Sequence, residues 1–266
     1  MTTSILKRTV LAAKYLEMLA DADYRLIDLN LIEPIDAKDA LGMNSENTFE
    51  RGGRWYHLRS DWTRSLVAYS DAFDKALSRY GYFGPVVRHK RTYYQAGMEL
   101  YQAELPEMLA AIQMHLDFIQ AEAGTNIQTI IVNDLRILGK YQTKYDLSEE
   151  VMQVVAEKDL SSLAELLGRE HAIYQLLAQP VKQQFAQIQA EFKGEADLAF
   201  LEGLQALLEG SQSKFLVDLS FTPPHSYYNG IYFQAFLTDY QPILTGGQYG
   251  NQSFGIGIDL SQGGLS

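Results

Sequence analysis

The sequence predicts an α+β fold, in which a mostly antiparallel sheet flanked by helices is interrupted by a long helical segment. Strand patterns at Tyr82 to Arg88 and at Thr92 to Leu100 are separated by only a short turn. Such a connection is too short for a parallel crossover, so the two strands are expected to pair antiparallel. From about Asp134 to Glu209 the apolar residues instead repeat at helical spacing. Strand patterns return after this segment, at Phe215–Leu219, Tyr227–Leu237 and Phe254–Ile258.

The residues before this hairpin predict a helix followed by a strand. The first helix is amphipathic, with these apolar positions on one stripe: Ile5, Val10, Leu11, Tyr15, Leu16 and Leu19. Apolar residues between Tyr24 and Glu33 predict a strand that ends at Pro34, because proline has no N–H to donate to a sheet. Asp36 to Arg51 is predicted to be a loop or short helix, and Trp62 to Tyr69 a helix.

The middle of the chain begins with a helix that opens at Pro106, since proline is favoured in the first helical turn. The β-branched run from Ile127 to Val132 predicts a strand. We therefore expect a single domain over residues 1–266, with a helical insertion at about 134–210.

The composition describes an acidic, cysteine-free protein. Its 33 Asp and Glu residues outnumber 22 Lys and Arg, for a formal charge of −11. Such a surface repels phosphate backbones, and the one dense basic run, Arg88 to Arg91, is no extended basic patch. The absence of cysteine excludes disulfides and thiolate metal sites. Charges interrupt residues 1–22, which therefore predict neither a signal peptide nor a membrane span. We expect a cytoplasmic protein without nucleic-acid or membrane partners.

The segment Leu58-Arg59-Ser60-Asp61-Trp62-Thr63 places an acidic residue just before a predicted helix. Two interpretations are open. Asp61 precedes a helix that Thr63 can cap, which is a purely structural role. Alternatively the Asp61 carboxylate is aimed at an ammonium group, and this second interpretation requires further polar partners.

Such partners occur in the hairpin that follows. Arg88 ends its first strand, and period-two alternation places Gln95, Gly97 and Glu99 on one face of its second strand. These side chains either face solvent or line a polar pocket, because a Gln and a Glu are not expected to face an apolar core unpaired. Gly97 favours the pocket, since a missing side chain leaves room for a ligand against the sheet.

The segment Pro223-Pro224-His225-Ser226-Tyr227-Tyr228-Asn229-Gly230 predicts a rigid entry into a strand. Adjacent tyrosines on a strand point to opposite faces, so at most one of the pair lines a given site. An ordinary structural role is equally open, because tyrosine is common in strands.

Two glycine-rich stretches, 246–250 and 254–259, lack the third glycine and the following helix of a dinucleotide-binding fingerprint. Glycines on a strand that passes close beneath a ligand fit these stretches better. The five histidines are scattered without metal-binding spacing. No metal ion or cofactor is therefore expected.

Taken in order, these four segments resemble the catalytic domain of class II histidyl-tRNA synthetases. They resemble still more closely the paralogous family, the regulatory subunits of ATP phosphoribosyltransferase. The resemblance covers nearly the whole chain, from the first helix to the strand at Phe254–Asp259. It implies a class II aminoacyl-tRNA synthetase-like antiparallel sheet, a homodimer interface built by the first helix and strand, and no anticodon-binding domain.

The resemblance also assigns residues. The positions that handle histidine in the synthetases fall at Asp61, Thr63, Arg88, Gln95, Glu99 and Tyr228, with Tyr227 beside them. Positions that carry catalytic arginines in the synthetases hold Pro223, Gln248 and Leu260. Only six residues, His89 to Tyr94, separate Arg88 from Gln95, far fewer than the synthetase loop that clamps ATP. Each lost cation costs about 3–4 kcal/mol of transition-state stabilisation. Adenylation is therefore expected to be absent.

The resemblance implies a non-catalytic regulatory subunit that a short-form ATP phosphoribosyltransferase needs for the first step of histidine biosynthesis. Histidine is the expected feedback effector, within a hetero-oligomer that contains a homodimer of this chain. Two alternatives are open. One is an activating scaffold that does not bind histidine, and the other is a synthetase-like enzyme that activates histidine.

Overall fold

The computed structural model describes residues 2–36, 47–73, 79–237, 241–260 and 265. The chain groups into two compact units, one of residues 1–101 and 255–266 and one of residues 102–254. Among the described residues, no helix combines the length and the apolar character that crossing a bilayer requires. The prediction of a single domain over residues 1–266 stays a prediction.

The described helices are α1 (Thr2–Asp21), α2 (Trp62–Phe73), α3 (Leu105–Ala123), α4 (Leu135–Tyr145), α5 (Glu149–Glu157), α6 (Leu160–Leu167), α7 (Ala172–Ala178), α8 (Val181–Glu191) and α9 (Ala199–Leu207). The described strands are β1 (Arg25–Ile27), β2 (Ile32–Ile35), β3 (Thr48–Arg51), β4 (Arg54–Leu58), β5 (Arg79–Arg88), β6 (Arg91–Leu100), β7 (Thr129–Asp134), β8 (Lys214–Val217), β9 (Tyr228–Phe236), β10 (Leu244–Tyr249) and β11 (Ser253–Ile258).

The first unit is built on the predicted hairpin of β5 and β6, which pair antiparallel along their whole length. His89 and Lys90 form the turn, with φ of 48° and 60°. Positive φ at both central residues matches the right-handed twist of the flanking strands. β1 pairs parallel with β5 on its other side. Helix α1 packs against β5, where the bare backbone of Gly81 accepts the Leu19 side chain.

An aromatic core lies between α2 and the hairpin in this unit. Trp62, Leu66, Tyr80, Tyr82 and Val86 are all at most 1% exposed and pack together. The rings of Trp62 and Tyr82 stack with centroids 4.7 Å apart. The predicted helix at Trp62 to Tyr69 is therefore confirmed, and its buried face covers the residues of β5.

A second sheet of three strands, in the order β2-β4-β3, follows β1. The single strand predicted from Tyr24 to Glu33 is wrong, because the chain forms β1 and then β2. Pro34 lies inside β2 opposite Tyr56 rather than ending a strand. Proline is tolerated there because β2 is an edge strand, which has one side without sheet partners. Of the predicted loop at Asp36 to Arg51, residues 37–46 lie outside the described residues, and the end forms β3.

The second unit contains neighbouring strands in the order β10-β9-β7-β8. β9 pairs antiparallel with β7 and with β10, whereas β8 runs parallel to β7. The pairing is therefore mostly antiparallel, as predicted, and β8 makes the sheet a mixed one. The physical reason is the helical chain from Leu135 to Leu207, which is long enough to return β8 in the same direction as β7.

The helical segment begins with well-formed caps. The side chains of Asp134, Ser148, Asp159 and His171 each accept a backbone N–H at the first turn of α4, α5, α6 and α7. Side-chain caps of this kind satisfy backbone donors that have no partner within the helix. They explain why several short helices follow one another here.

Candidate functional site

The Glu99 carboxylate is the most buried of the predicted site groups, with no exposed surface. The hydroxyl of Thr63 donates to Glu99 Oε1 at 2.6 Å, which joins α2 to β6. A Cβ built on Gly255 would lie 2.2 Å from Glu99 Oε2. The carboxylate therefore occupies the space above Gly255 that a side chain would otherwise take.

Asp61 has the predicted capping role, and its aim at an ammonium group stays a prediction. Its Oδ1 accepts from the Arg64 amide at 3.2 Å, so the carboxylate caps α2. Thr63 does not cap this helix, because its hydroxyl is directed to Glu99. Asp61 Oδ2 lies 3.6 Å from Arg88 Nη2, and Arg88 Nε donates to the Ser60 carbonyl at 2.7 Å. The capping carboxylate is thus also one half of an ion pair, whose arginine is 43% exposed.

Gln95 and Gly97 face the aromatic core rather than an open pocket. Gly97 lies opposite Tyr82 in the hairpin, and a Cβ on Gly97 would lie 2.2 Å from the Tyr82 hydroxyl. The expectation that Gly97 leaves room for a ligand is therefore wrong in this conformation, because Tyr82 fills the space. Gln95 Oε1 is buried and has no hydrogen-bond partner. An unpaired buried acceptor is costly, so this oxygen is available to a donor that reaches it.

Arg59 is a buried residue of this region to which the sequence reasoning gave no role. It has no exposed surface and stacks its guanidinium 3.5 Å above the Trp62 ring. Its position between a strand and a helix gives no signal that separates it from an exposed arginine. Only the packed structure shows that its side chain turns inward.

The two tyrosines belong to an aromatic cluster in the second unit. Tyr228 begins β9, but Tyr227 lies in the turn before it, and their ring centroids are 4.7 Å apart. The prediction that the two rings point to opposite faces is wrong, because that rule requires both residues to lie on the strand. The cluster continues through these contacts: His225 on Tyr227, Tyr249 on Tyr227, and Tyr232 on Tyr228.

The sequence model of the histidyl-tRNA synthetase family matches residues 3–266. The chain belongs to this family. A curated relative, the ATP phosphoribosyltransferase regulatory subunit of Staphylococcus aureus (strain MRSA252), is 27% identical over 256 residues, which are 92% of this chain and 94% of the relative.

Two solved structures share the fold at low sequence identity. An ATP phosphoribosyltransferase regulatory subunit/histidyl-tRNA synthetase from Bacillus halodurans has a TM-score of 0.77 and 17% identity, covering 98% of this chain and 80% of that chain. The ATP phosphoribosyl transferase (HisG:HisZ) complex from Thermotoga maritima has a TM-score of 0.76 and 14% identity, covering 97% and 99%. These likenesses confirm the class II synthetase-like fold, a mixed sheet flanked by helices.

Two of the positions at which the resemblance predicts the loss of an arginine are occupied by Gln248 and Leu260, and both side chains pack within the chain. Gln248 Oε1 accepts from the Ile231 amide at 3.4 Å, and its Nε2 lies 3.4 Å from Met108 Sδ. Leu260 is only 2% exposed. A glutamine engaged within its own sheet and a buried leucine supply no positive charge to a phosphate.

Two histidines outside the predicted site, His115 and His171, take part in packing and hydrogen bonds within the chain. Burial lowers the pKa of His115 to about 4, although its hydrogen bond to the Ala111 carbonyl acts in the opposite direction. His171 caps α7 and packs edge-on against Tyr145. Among the described residues, no three His, Asp or Glu side chains are grouped as a metal ion would require.

Proposed function

We propose that this chain is the regulatory subunit of an ATP phosphoribosyltransferase and performs no catalysis itself. The observation that carries the proposal is the match to a regulatory subunit over 94% of that relative. The non-cationic residues at the positions where the resemblance implies catalytic arginines support it. Its partner would be a short-form catalytic subunit, which joins ATP to phosphoribosyl pyrophosphate in the first step of histidine biosynthesis. Cytoplasmic localisation belongs to this proposal.

Free histidine is the proposed effector. In the first unit Asp61 and Glu99 supply negative charge for its ammonium and imidazole N–H groups, Gln95 Oε1 supplies an unpaired acceptor, and Arg88 supplies a cation for its carboxylate. Thr63 orients Glu99. The family resemblance adds Tyr227 and Tyr228, which lie in the aromatic cluster of the second unit. Histidine inhibits the complex only if it binds one arrangement of that complex more tightly than another.

Tyr82 supports a second candidate, an activating scaffold that does not bind histidine. Its hydroxyl fills the space over Gly97. The resemblance also implies that Pro223 lies near the position of a synthetase arginine. If histidine occupies the space over Gly97, Tyr82 leaves this position and its stacking on Trp62 changes. Calorimetry of the isolated chain with histidine separates the two candidates, and tryptophan fluorescence reports the movement of Tyr82.

The deciding experiment mixes the chain with a short-form catalytic subunit and measures phosphoribosyl transfer with and without histidine. We expect activity only in the mixture, inhibition by histidine, and no histidine-dependent exchange of pyrophosphate into ATP by the chain alone. Exchange by the isolated chain would support the synthetase-like alternative and contradict the proposal.

Two variants test the histidine site within this assay. Glu99→Gln should raise the half-inhibitory histidine concentration at least tenfold, since a charged hydrogen-bond partner contributes roughly 1.5–3 kcal/mol. Asp71→Asn is the matched control, because Asp71 is an exposed carboxylate at the other end of α2. Unchanged inhibition in Glu99→Gln would show that histidine binds elsewhere.

A further inference from the structure

Arg59 is a fully buried cation whose role the proposed function does not explain. Burial lowers its pKa, and the nearby charges of Glu33 and Asp28 partly offset this effect. Among the described residues, no carboxylate lies within ion-pair distance of its guanidinium. Burying a charge in this way is expensive unless its donors are well placed.

The carbonyls that accept from the Arg59 guanidinium belong to two separate segments. Its Nε and Nη2 both donate to the Pro85 carbonyl in β5, at 3.2 and 3.0 Å. Its Nη1 donates to the Leu29 carbonyl, in the segment after β1, at 2.9 Å. The guanidinium therefore holds two backbone carbonyls together while stacking on Trp62 at the start of α2.

Hydrogen bonds to the same two parts of the chain also hold the backbone of Arg59. Its amide donates to the Leu31 carbonyl at 2.9 Å, and its carbonyl accepts from the Val87 amide at 2.8 Å. Val87 is the residue before Arg88, and Arg59 stands two residues before Asp61. Both halves of the Asp61–Arg88 ion pair consequently extend from a junction that Arg59 holds.

We propose that Arg59 is the positioning residue of the histidine site, which sets the distance between Asp61 and Arg88 before any ligand arrives. This inference rests on the proposed histidine binding. A site that presents one carboxylate and one guanidinium to an amino acid depends on their separation, and preorganised groups lose less entropy when they bind. Arg59 itself touches no ligand in this arrangement.

The test compares Arg59→Met, Arg59→Lys and Leu19→Ala in the full chain. Leu19 is a buried residue of the same unit that packs against Gly81, so Leu19→Ala controls for general destabilisation. We expect Arg59→Met to lose at least tenfold in histidine affinity by calorimetry and Arg59→Lys to lose less. Leu19→Ala should stay within twofold of the unaltered chain. If Arg59→Met does not fold, the same comparison is made with Arg59→Lys.

A double variant identifies the route of the effect. If Arg59 acts through Asp61, the double variant Arg59→Met and Asp61→Asn should lose no more histidine affinity than the single variant with the larger loss. Fully additive losses, or equal losses in Arg59→Met and Leu19→Ala, would overturn the positioning role.

One measurement remains informative if the unaltered chain does not bind histidine, an outcome that would end the proposed feedback. Hydrogen exchange of the Arg64 amide reports the cap made by Asp61. We expect faster exchange of this amide in Arg59→Met than in Leu19→Ala. Equal exchange rates in the two variants would show that Arg59 does not position Asp61.

Discussion

At the scale of single residues, small side chains determine where the carboxylate of Glu99 lies. Gly255 leaves a gap on the neighbouring strand, and the carboxylate fills it while Thr63 holds one oxygen. Gly97 leaves a similar gap, which Tyr82 fills instead. Glycine at these two positions thus leads to two different arrangements, because the neighbouring residues determine which side chain fills the space.

Gly255→Ala tests the role of this gap. The new Cβ would lie 2.2 Å from Glu99 Oε2, so the carboxylate must move. We expect the free energy of unfolding to fall by about 1–3 kcal/mol, as in other overpacked sites. Histidine affinity should also fall under the proposed function. Urea titration and calorimetry measure the two effects.

Gly139→Ala is the control for this change. Gly139 lies in α4 with open space around the position of a Cβ. The substitution should stabilise the chain by roughly 0.5–1 kcal/mol, because alanine favours helices over glycine. Equal stability losses in the two variants would contradict the steric argument.

The buried imidazole of His115 makes stability depend on pH. Its pKa of about 4 lies below the ordinary 6.5, so the unfolded chain binds this proton more readily. Its contribution is therefore complete above pH 6.5 and is lost as the pH falls toward 4. The loss amounts to about 3 kcal/mol. Urea unfolding at several pH values measures it.

His115→Gln should flatten the stability profile between pH 6.5 and 4, because glutamine does not titrate. A profile that persists in His115→Gln would assign the pH dependence to other groups.

At the scale of elements, the hairpin of β5 and β6 is an example of structure that local sequence patterns can predict. Its strands and short turn were predicted correctly, because alternation and connection length are properties of adjacent residues. The pairing of β1 and β8 could not be predicted in the same way. Both strands are parallel to partners far along the chain, and such pairing depends on helices between them.

The residues in the turn of this hairpin are not the ones that stabilise such a turn best. His89 and Lys90 both have positive φ, which non-glycine residues adopt at a cost of roughly 1–2 kcal/mol each. The double variant His89→Asn and Lys90→Gly, which introduces the preferred turn residues, should raise the unfolding free energy by about 1–2 kcal/mol. Unfolding curves test this.

Lys193→Gly is a useful comparison in the second unit, since Lys193 does not have a positive φ. There the substitution should give no such gain. A loss of stability in the hairpin variant would show that its side chains contribute more than the backbone strain costs.

At the scale of the whole molecule, exposed apolar residues on α1 support the homodimer that the family resemblance implies, which we also propose. Ile5, Leu6 and Val10 are 57%, 65% and 46% exposed, whereas Leu11, Tyr15 and Leu19 of the same helix are buried. The helix therefore has a second apolar side that its own unit does not cover. Burial of this side by a second copy would remove apolar surface from water.

Leu6→Glu should shift the chain from dimer to monomer, because the interface would then bury an unpaired charge. Light scattering coupled to size-exclusion chromatography measures the mass. Leu166→Glu is the matched control, since Leu166 is also exposed, at 44%, but lies in the helical segment. A dimer that survives Leu6→Glu would place the interface elsewhere.

Periodicity and composition are local properties, and they were enough to predict the types and order of most elements, the acidic and cysteine-free character, and the candidate site residues. Three facts come from the folded chain alone: Tyr82 fills the space at Gly97, Tyr227 and Tyr228 touch, and Arg59 lies buried. These facts depend on which distant segments pack together, and no local pattern records that choice.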